Sequence, residues 1–169
     1  MLAISSTKVE TGPEVFINFR GAELRTNFVS HLHAELKLQG INAFIDTDED
    51  AGEKLENLFR RIEESRVALA ILSSRYTESR WCLDELVRIK ECVDRCTLWV
   101  IPILYKLKPA TVKKLEGDFG DKLWNLWRQR GHHRGDTIIK WDAALQDVAA
   151  RSLMVLEEHR DYCTIVHFS

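Results

Sequence analysis

The chain has 169 residues, of which 45% are hydrophobic and 30% charged, so its composition favours one globular domain and excludes intrinsic disorder. The 24 basic and 26 acidic residues nearly balance and are dispersed, so the concentrated basic face of a nucleic-acid-binding protein is missing. No segment contains the roughly 20 apolar residues of a membrane helix, and residues 1–13 do not resemble a signal peptide. We therefore expect neither a nucleic-acid nor a membrane partner, and a short flexible leader at 1–13.

Four short apolar runs, each about the length of a strand, predict β-strands at residues 15–19, 41–45, 67–72 and 98–105. None of them alternates cleanly between polar and apolar residues, which indicates burial on both faces and is typical of a parallel sheet. Pro102 removes a hydrogen bond from the fourth run, so we expect that strand at or near an edge of the sheet.

Amphipathic stripes between and after these runs predict helices. The first, at residues 24–38, has an apolar residue every four positions, and Gly40 follows it where a helix commonly stops. Further helical segments are predicted at 55–62, 83–93, 111–130 (one or two helices) and 137–151. The alternation of strands and helices predicts a doubly wound, parallel α/β sheet with helices on both faces. The apolar clusters of residues 152–169 fit a helix, a strand or neither.

The four cysteines and six histidines predict no metal site. They form no C-x-x-C or H-E-x-x-H motif, and Cys92 and Cys96, four residues apart, have no histidine beside them. Reduced thiols fit a cytoplasmic protein, with the nucleus as an alternative. Trp124 and Trp127, at helical spacing, are predicted to pack in the core.

Ligands of doubly wound sheets bind beyond the carboxyl ends of the strands, so the loops after the strands are the candidate sites. After the first strand, Arg20 and Arg25 flank Gly21 at a helix start, a combination that suits a phosphate group. The same residues also fit a tight turn with solvated arginines, because neither a G-x-G-x-x-G motif nor a Walker lysine is present. Both interpretations remain open on this loop alone.

Asp84 and Glu85 follow the third strand and are predicted to lie in the first turn of a helix. Acids there stabilise a helix by about 0.3–1 kcal/mol, and Asp84 stands four residues before Arg88, at ion-pair spacing. Physical reasoning alone favours this structural explanation. The functional alternative places Trp81 as an aromatic platform and aims Glu85 into the cleft, where it stabilises an oxocarbenium-like centre or orients ribose hydroxyls during glycosidic cleavage.

Several motifs in chain order resemble the plant form of the TIR (Toll/interleukin-1 receptor) family across residues 14–151, with 152–169 as a tail. Residues 15–21 read V-F-I-N-F-R-G where the family opens with D-V-F-L-S-F-R-G, and residues 62–66 read I-E-E-S-R as in the family. The run S-R-W-C-L-D-E-L at 79–86 matches the family completely. On these residues the chain is similar to plant TIR domains.

The resemblance implies a flavodoxin-like sheet of about five strands, in a protein of innate immune signalling and plant defence. It also implies that the self-associated domain hydrolyses NAD at the nicotinamide–ribose bond, releasing nicotinamide with ADP-ribose or cyclic ADP-ribose. NAD is then the substrate, and neither a cofactor nor a metal is expected. The implied protein partners are other TIR domains, bound in self-association or hetero-association.

The same resemblance assigns individual residues. Glu85, the glutamate of the W-C-x-D-E motif, is the implied catalytic residue. Gly52 lies in the loop that gates the site in the family, often called the BB loop, and Ser30 and His31 match the first-helix interface for self-association. The implied substrate-binding residues are Arg20, Gly21, Arg25, Gly52, Ser79 and Trp81.

Departures from the family pattern fall close to these residues. Ala51 replaces the arginine that usually precedes the gating-loop glycine, and Lys106 and Lys108 replace the two acids of D-V-D-P. These changes bear on the reaction rate and on assembly, and they favour an alternative function, that of a non-catalytic TIR adaptor. A flavin-binding or response-regulator function is disfavoured, because the phosphate loop or acidic phosphorylation pocket of such proteins is missing.

Overall fold

Strands and helices alternate along the chain, as the apolar runs predict. The computed structural model describes residues 14–45, 55–129, 135–151 and 154–156. The strands are β1 (Val15–Asn18), β2 (Ala43–Ile45), β3 (Val67–Leu72), β4 (Trp99–Tyr105) and β5 (Met154–Leu156). The helices are α1 (Ala22–Leu24), α2 (Ser30–Leu38), α3 (Leu55–Glu64), α4 (Arg80–Asp94), α5 (Pro109–Lys114), α6 (Gly117–Arg128) and α7 (Gly135–Ala149). A π-helical turn (Arg25–Val29) joins α1 to α2, and a 3-10 turn (Tyr76–Glu78) precedes α4.

The five strands form one parallel sheet in the order β2-β1-β3-β4-β5. Phe16 in β1 is level with Phe44 in β2 and with Ala68 in β3, so β1 lies between the two strands that follow it. After β1 the chain forms β2 on one side of it, and then forms β3 on the other side. This is the flavodoxin-like strand order. The predicted doubly wound α/β fold is therefore confirmed, and it has a topological switch point between β1 and β3.

Both faces of this sheet are buried, which explains why its strands do not alternate polar and apolar residues. Ile17 and Leu69 belong to a cluster on the side of α1 and α2, where Phe28 packs against them. Phe16 and Ala68, one position earlier in each strand, belong to the opposite cluster with residues of α3 and α4. The core on that second side continues between β3, β4 and the helices α4, α6 and α7.

The first helical region confirms its predicted apolar stripe and its glycine stop. The four stripe residues are all buried, namely Leu24, Phe28, Leu32 and Leu36. Gly40 adopts a left-handed conformation with φ 75°, in which most side chains are strained. Its N–H donates to the carbonyl of Lys37 and the N–H of Ile41 donates to that of Leu36, which is the Schellman pattern of a helix end.

Region 111–130 holds two helices, α5 and α6, within the predicted one or two. Trp124 in α6 is 41% exposed and meets the half-buried Trp127 edge-on, with 6.1 Å between the ring centroids. The predicted core position is therefore wrong for Trp124. The reason is that the stripe of α6 that packs inward passes through Phe119 and Leu123 instead.

β4 is second from an edge of the sheet, with β5 outside it. Pro102 is level with Ala70 of β3, whereas the pairing with β5 covers 103–105 only. The prediction that this strand lies at or near an edge is confirmed. Within the tail, residues 154–156 form a strand, while the predicted leader and the other tail residues lie outside the described part of the chain. None of the helices described is long and apolar enough to cross a membrane.

Candidate functional site

The carboxyl ends of β1 and β3 meet where the strand order reverses. Asn18 ends β1 and is fully buried, Arg20 follows two residues later, and Ser73 comes directly after β3. The side chain of Asn18 bonds to groups of α4, so this helix packs against the same end of β1. Ligands of doubly wound folds bind at such a switch point, which makes it the candidate site.

Ser79 determines where α4 begins. Its backbone is extended, and its Oγ accepts a hydrogen bond from the N–H of Cys82 at 3.2 Å, as an N-cap serine does. The thiol of Cys82 donates to the carbonyl of Phe19 at 3.1 Å, which fastens the helix start to the end of β1. Because α4 begins directly after Ser79, its first turn contains no acid, and the predicted first-turn position of Asp84 and Glu85 is wrong.

Glu85 is buried between α4 and β1 and is only 1% exposed. Its Oε2 accepts a hydrogen bond from Nδ2 of Asn18 at 2.7 Å. Within the described ranges, Glu85 is the one charged residue that is buried. Removing a carboxylate from water costs several kcal/mol, whereas an acid that only complements the helix dipole acts at the surface. The helix-start explanation therefore does not account for Glu85.

Asp84 has a structural function that separates it from its neighbour. It accepts a hydrogen bond from Nε1 of Trp141 at 2.9 Å, which joins α4 to α7. It also pairs with Arg80 at 3.3 Å, so the predicted pair with Arg88 is wrong. Arg88 contacts Glu63 of α3 instead, at 3.3 Å. Of the two adjacent acids, Asp84 is committed to packing, and Glu85 lies at the switch point.

Asn18 and Tyr76 complete the site, and sequence reasoning assigned neither of them a function. The Tyr76 hydroxyl donates to Oδ1 of Asn18 at 2.5 Å, and both residues are fully buried. One signal for Asn18 was present in the sequence, because a polar residue within an apolar strand must find partners inside the protein. For Tyr76 the signal was weaker, since a tyrosine after a strand also fits an exposed loop.

Burial raises the pKa of Tyr76 well above its usual value of 10.0. The nearby Cys82 and Glu85 raise this pKa further, whereas the hydrogen bond to Asn18 lowers it. Tyr76 therefore keeps its proton at neutral pH and acts as a hydrogen-bond donor within the site.

The loop after β1 brings two arginines to the same end of the sheet. Gly21 has φ 105°, a conformation that favours glycine, and it directly precedes α1. The Arg20 guanidinium lies 3.6 Å from the carboxylate of Glu78, and that of Arg25 lies 5.7 Å from the ring centroid of Phe19. The predicted turn at Gly21 is therefore confirmed, and the binding of a phosphate group by Arg20 and Arg25 stays a prediction.

Ser73 adds a polar group at the end of β3. Its hydroxyl oxygen is buried and has no hydrogen-bond partner among the residues that the structure describes. Buried polar atoms without partners are rare in native proteins, because each costs free energy. A hydroxyl in this position has the capacity to bond a bound ligand.

Similarity to known proteins identifies the family. The family model for the TIR domain matches residues 14–165. The chain belongs to the TIR family. The predicted resemblance is thereby confirmed, and the parallel sheet with its covering helices is the TIR architecture.

Two curated relatives from Arabidopsis thaliana carry resistance names. The disease resistance-like protein CSA1 is 52% identical over 168 residues, which cover 96% of this chain and 14% of CSA1. The disease resistance protein RPS4 is 57% identical over 125 residues, which cover 72% of this chain and 10% of RPS4. This TIR chain spans only a small part of the length of either relative.

A TIR domain in the structure of the activated Roq1 resistosome, which directly recognises the pathogen effector XopQ, shares this architecture. It is 33% identical with a TM-score of 0.78, and the match covers 91% of this chain and 95% of that one. The fold of this TIR domain is thus found in the TIR domains of a solved resistosome.

Of the remaining predicted site residues, the structure of this TIR domain describes Trp81 and Ser79 but not Gly52. Trp81 is half-buried in the first turn of α4, close in sequence to Glu85. The Ser79 oxygen already caps α4, so its contact with a substrate stays a prediction. Gly52 and Ala51 lie outside the described residues.

The two lysines that depart from the family pattern are exposed beyond β4. Lys106 has a left-handed backbone with φ 50°, and its ammonium lies 5.5 Å from the ring centroid of Tyr105. Lys108 precedes α5, whose first residue is Pro109. Both charges therefore lie at the surface on the carboxyl side of the sheet.

Ser30 and His31, the predicted interface residues, are exposed at the start of α2. The Ser30 Oγ lies 3.1 Å from the carbonyl oxygens of both Thr26 and Asn27, within donor distance of either. Exposure leaves the His31 side chain accessible to another protein, although its part in self-association stays a prediction.

The cysteines and acids of the described residues form no group arranged to hold a metal ion. Cys82 and Cys92 are buried, Cys96 is exposed, and none of these three forms a disulfide with another described residue.

Proposed function

We propose that this TIR domain hydrolyses NAD at the nicotinamide–ribose bond, with Glu85 as the catalytic residue, and that it acts in immune signalling. The observation that carries the proposal is the buried carboxylate of Glu85, held by Asn18 at the switch point of the sheet. A charged group buried at the ligand-binding end of a doubly wound sheet is a candidate functional group. The motif around Glu85 and the names of the resistance relatives add support.

The chemistry of NAD needs one well-placed negative charge. When the bond between nicotinamide and C1′ of the ribose breaks, nicotinamide takes the bonding electron pair and leaves as a neutral molecule. Positive charge then develops at C1′ and the ring oxygen, and a carboxylate in a low-dielectric site stabilises it. Water adds to C1′ and releases a proton, giving ADP-ribose. The leaving group needs no protonation, so the second carboxylate of ordinary glycosidases is unnecessary.

The rest of the dinucleotide finds complementary groups around the same strand ends. We assign its diphosphate to the loop of Gly21, where the Arg20 and Arg25 guanidinium groups supply positive charge next to a helix start. We assign Trp81 and the Ser73 hydroxyl to contacts with the sugar and base.

Access to Glu85 requires that the groups covering it move, because a side chain that is 1% exposed does not meet a substrate. The hydrogen bond from Asn18 to Glu85 is kept in this movement. We propose that self-association supplies this movement, so that hydrolysis depends on assembly. The exposed His31 on α2 is the proposed contact. Activity then rises with protein concentration and with crowding, and the isolated domain is slow.

The test is nicotinamide release from NAD by the purified protein under crowding, followed by liquid chromatography. Wild-type protein is expected to release nicotinamide, and Glu85→Ala is expected to fall to the background. Asp94→Ala, which removes an exposed acid from the far end of the same helix, serves as the matched control and should retain the wild-type rate. Equal release by the wild type and Glu85→Ala contradicts the proposal.

A second candidate function is a non-catalytic TIR adaptor, which the burial of Glu85 and the exposure of His31 favour. One solved structure with this fold is a heterodimer of the RPS4 and RRS1 TIR domains. Light scattering of the wild type, His31→Ala and the control Lys37→Ala on the same helix tests the adaptor function. An adaptor self-associates through His31 without cleaving NAD, and a strict monomer that captures no TIR partner contradicts this function.

A further inference from the structure

We infer that Asn18 and Tyr76 are positioning residues, which hold the Glu85 carboxylate in the orientation that the reaction needs; the inference rests on the proposed function. The three side chains are each at most 1% exposed. Their hydrogen bonds run from the Tyr76 hydroxyl through the Asn18 amide to the carboxylate. The three residues come from the 3-10 turn, β1 and α4, so three separate elements converge on one carboxylate.

The Asn18 amide has one orientation that satisfies its neighbours. Its Nδ2 donates to Oε2 of Glu85 at 2.7 Å and to the carbonyl of Cys82 at 3.3 Å, while its Oδ1 accepts from Tyr76. Half a turn of the amide would set Oδ1 against the carboxylate, and two acceptors would then face each other. Tyr76 and Cys82 therefore fix the amide, and the amide fixes one oxygen of Glu85.

Tyr76 is itself held firmly enough to serve as the anchor. Its ring is fully buried, and its hydroxyl also lies 3.1 Å from the carbonyl of Cys82. The raised pKa of Tyr76 keeps the hydroxyl protonated, so it remains a donor to Asn18. Preorganised groups of this kind contribute to catalysis because they need no reorganisation when charge develops.

The arrangement needs an asparagine at position 18, where the family motif D-V-F-L-S-F-R-G has a serine. A serine hydroxyl has one hydrogen, so it cannot donate to both Glu85 and the Cys82 carbonyl. An asparagine supplies two N–H donors and a separate acceptor, and all three are used here. The positioning by Asn18 is thus a property of this chain.

Steady-state kinetics of nicotinamide release separate positioning from simple structural support. Tyr76→Phe removes one hydroxyl and is expected to lower kcat roughly tenfold, with KM for NAD changed by less than about twofold. Asn18→Leu, which keeps the side-chain size and removes every polar atom, is expected to lower kcat further. If circular dichroism shows that Asn18→Leu does not fold, Tyr76→Phe decides the question.

Thr77→Val is the matched control for losing a buried hydroxyl. Thr77 is fully buried beside Tyr76, but its hydroxyl donates to the carbonyl of Phe119 at 2.6 Å, away from Glu85. This variant should keep kcat and KM within about twofold of the wild type. A kcat for Tyr76→Phe equal to that of the wild type, or an equal loss in Thr77→Val, overturns the inference.

A spectroscopic measurement tests the positioning of Glu85 independently of whether the protein cleaves NAD. In protein labelled with carboxyl-13C glutamate, the Glu85 resonance is assigned by its loss in Glu85→Gln. Tyr76→Phe is expected to shift it, and Thr77→Val is expected to leave it in place. If even the wild type releases no nicotinamide, the proposed function fails, and an unshifted resonance in Tyr76→Phe overturns the positioning as well.

Discussion

At the scale of single residues, Asp84 and Glu85 are neighbours with different surroundings. Asp84 keeps part of its surface in water and joins two helices through Trp141. Glu85 faces the end of β1, where water is excluded and Asn18 satisfies one of its oxygens. Successive residues of a helix are rotated by about 100°. Asp84 therefore contacts Trp141 of α7, whereas Glu85 contacts Asn18 of β1.

The pH dependence of stability reports on Tyr76. Its pKa is raised in the folded protein, so its stabilising contribution is complete below pH 10.0 and is lost as the pH rises through the folded value. Tyr76→Phe is expected to differ from the wild type by a constant free energy of unfolding below that pH. Above it, the wild type should lose stability relative to the variant by up to roughly 1.4 kcal/mol per pH unit.

Urea unfolding of both proteins between neutral and alkaline pH measures this difference, and Thr77→Val serves as a control with an intact tyrosine. Parallel pH profiles of the wild type and Tyr76→Phe would show that Tyr76 ionises normally, and that its burial is incomplete in solution.

The Glu85 motif could be recognised from the sequence, but its partners could not be found there. Asn18 lies 67 residues before Glu85, and Tyr76 lies 58 residues after Asn18, so no local spacing connects them. Physical reasoning on the helix alone also favoured the helix-dipole explanation, which is wrong for Glu85. It placed Asp84 and Glu85 in the first turn of α4, whereas they lie after that turn. The N-cap of Ser79 determines the true start of α4, and with it the direction in which Glu85 points.

At the scale of elements, the start of α4 and the turn between α5 and α6 depend on single small residues. Ser79 caps α4 with its hydroxyl, and Gly120 lets α6 approach the end of α5. The apolar stripes predicted these helices, yet they did not predict where each helix begins, because caps and close approaches depend on atoms outside the helix.

Loss of the cap is expected to weaken α4 without rearranging it. Ser79→Ala should lower the free energy of unfolding by about 1 kcal/mol, because the N–H of Cys82 loses its acceptor. Ser74→Ala, at an exposed position a few residues earlier, is the matched control and should change it by less than about 0.5 kcal/mol. Chemical denaturation measures both, and equal stabilities would refute the assignment of Ser79 as the cap.

Two helical glycines provide a test of close packing. A Cβ at Gly120 would lie 1.8 Å from the carbonyl oxygen of Leu115, whereas a Cβ at Gly135 would meet no atom within 4 Å. Gly120→Ala is therefore expected to cost about 1–3 kcal/mol or more, since the backbone must move. Gly135→Ala should be neutral or stabilising by up to about 1 kcal/mol. Thermal unfolding compares the two, and similar melting temperatures would contradict the packing of α6 against Leu115.

At the scale of the whole molecule, the order of the strands in the sheet brings the candidate site residues together. The reversal between β1 and β3 places the Arg20 loop, Ser73 and the start of α4 at one end of adjacent strands. Four strands were predictable because each lies in a continuous apolar run of about the length of a strand. β5 was not, since it lies in a tail whose apolar clusters fit several structures equally.

The central claim is that the buried carboxylate of Glu85 cleaves NAD, and its most direct test is the rate of nicotinamide release by Glu85→Gln. Glutamine has nearly the same shape as glutamate, so packing against β1 is kept while the negative charge is lost. The expected result is a folded protein whose rate falls at least about a hundredfold below the wild type, since one electrostatic contact with a developing charge contributes on that order. A Glu85→Gln rate within about twofold of an active wild type would contradict the account.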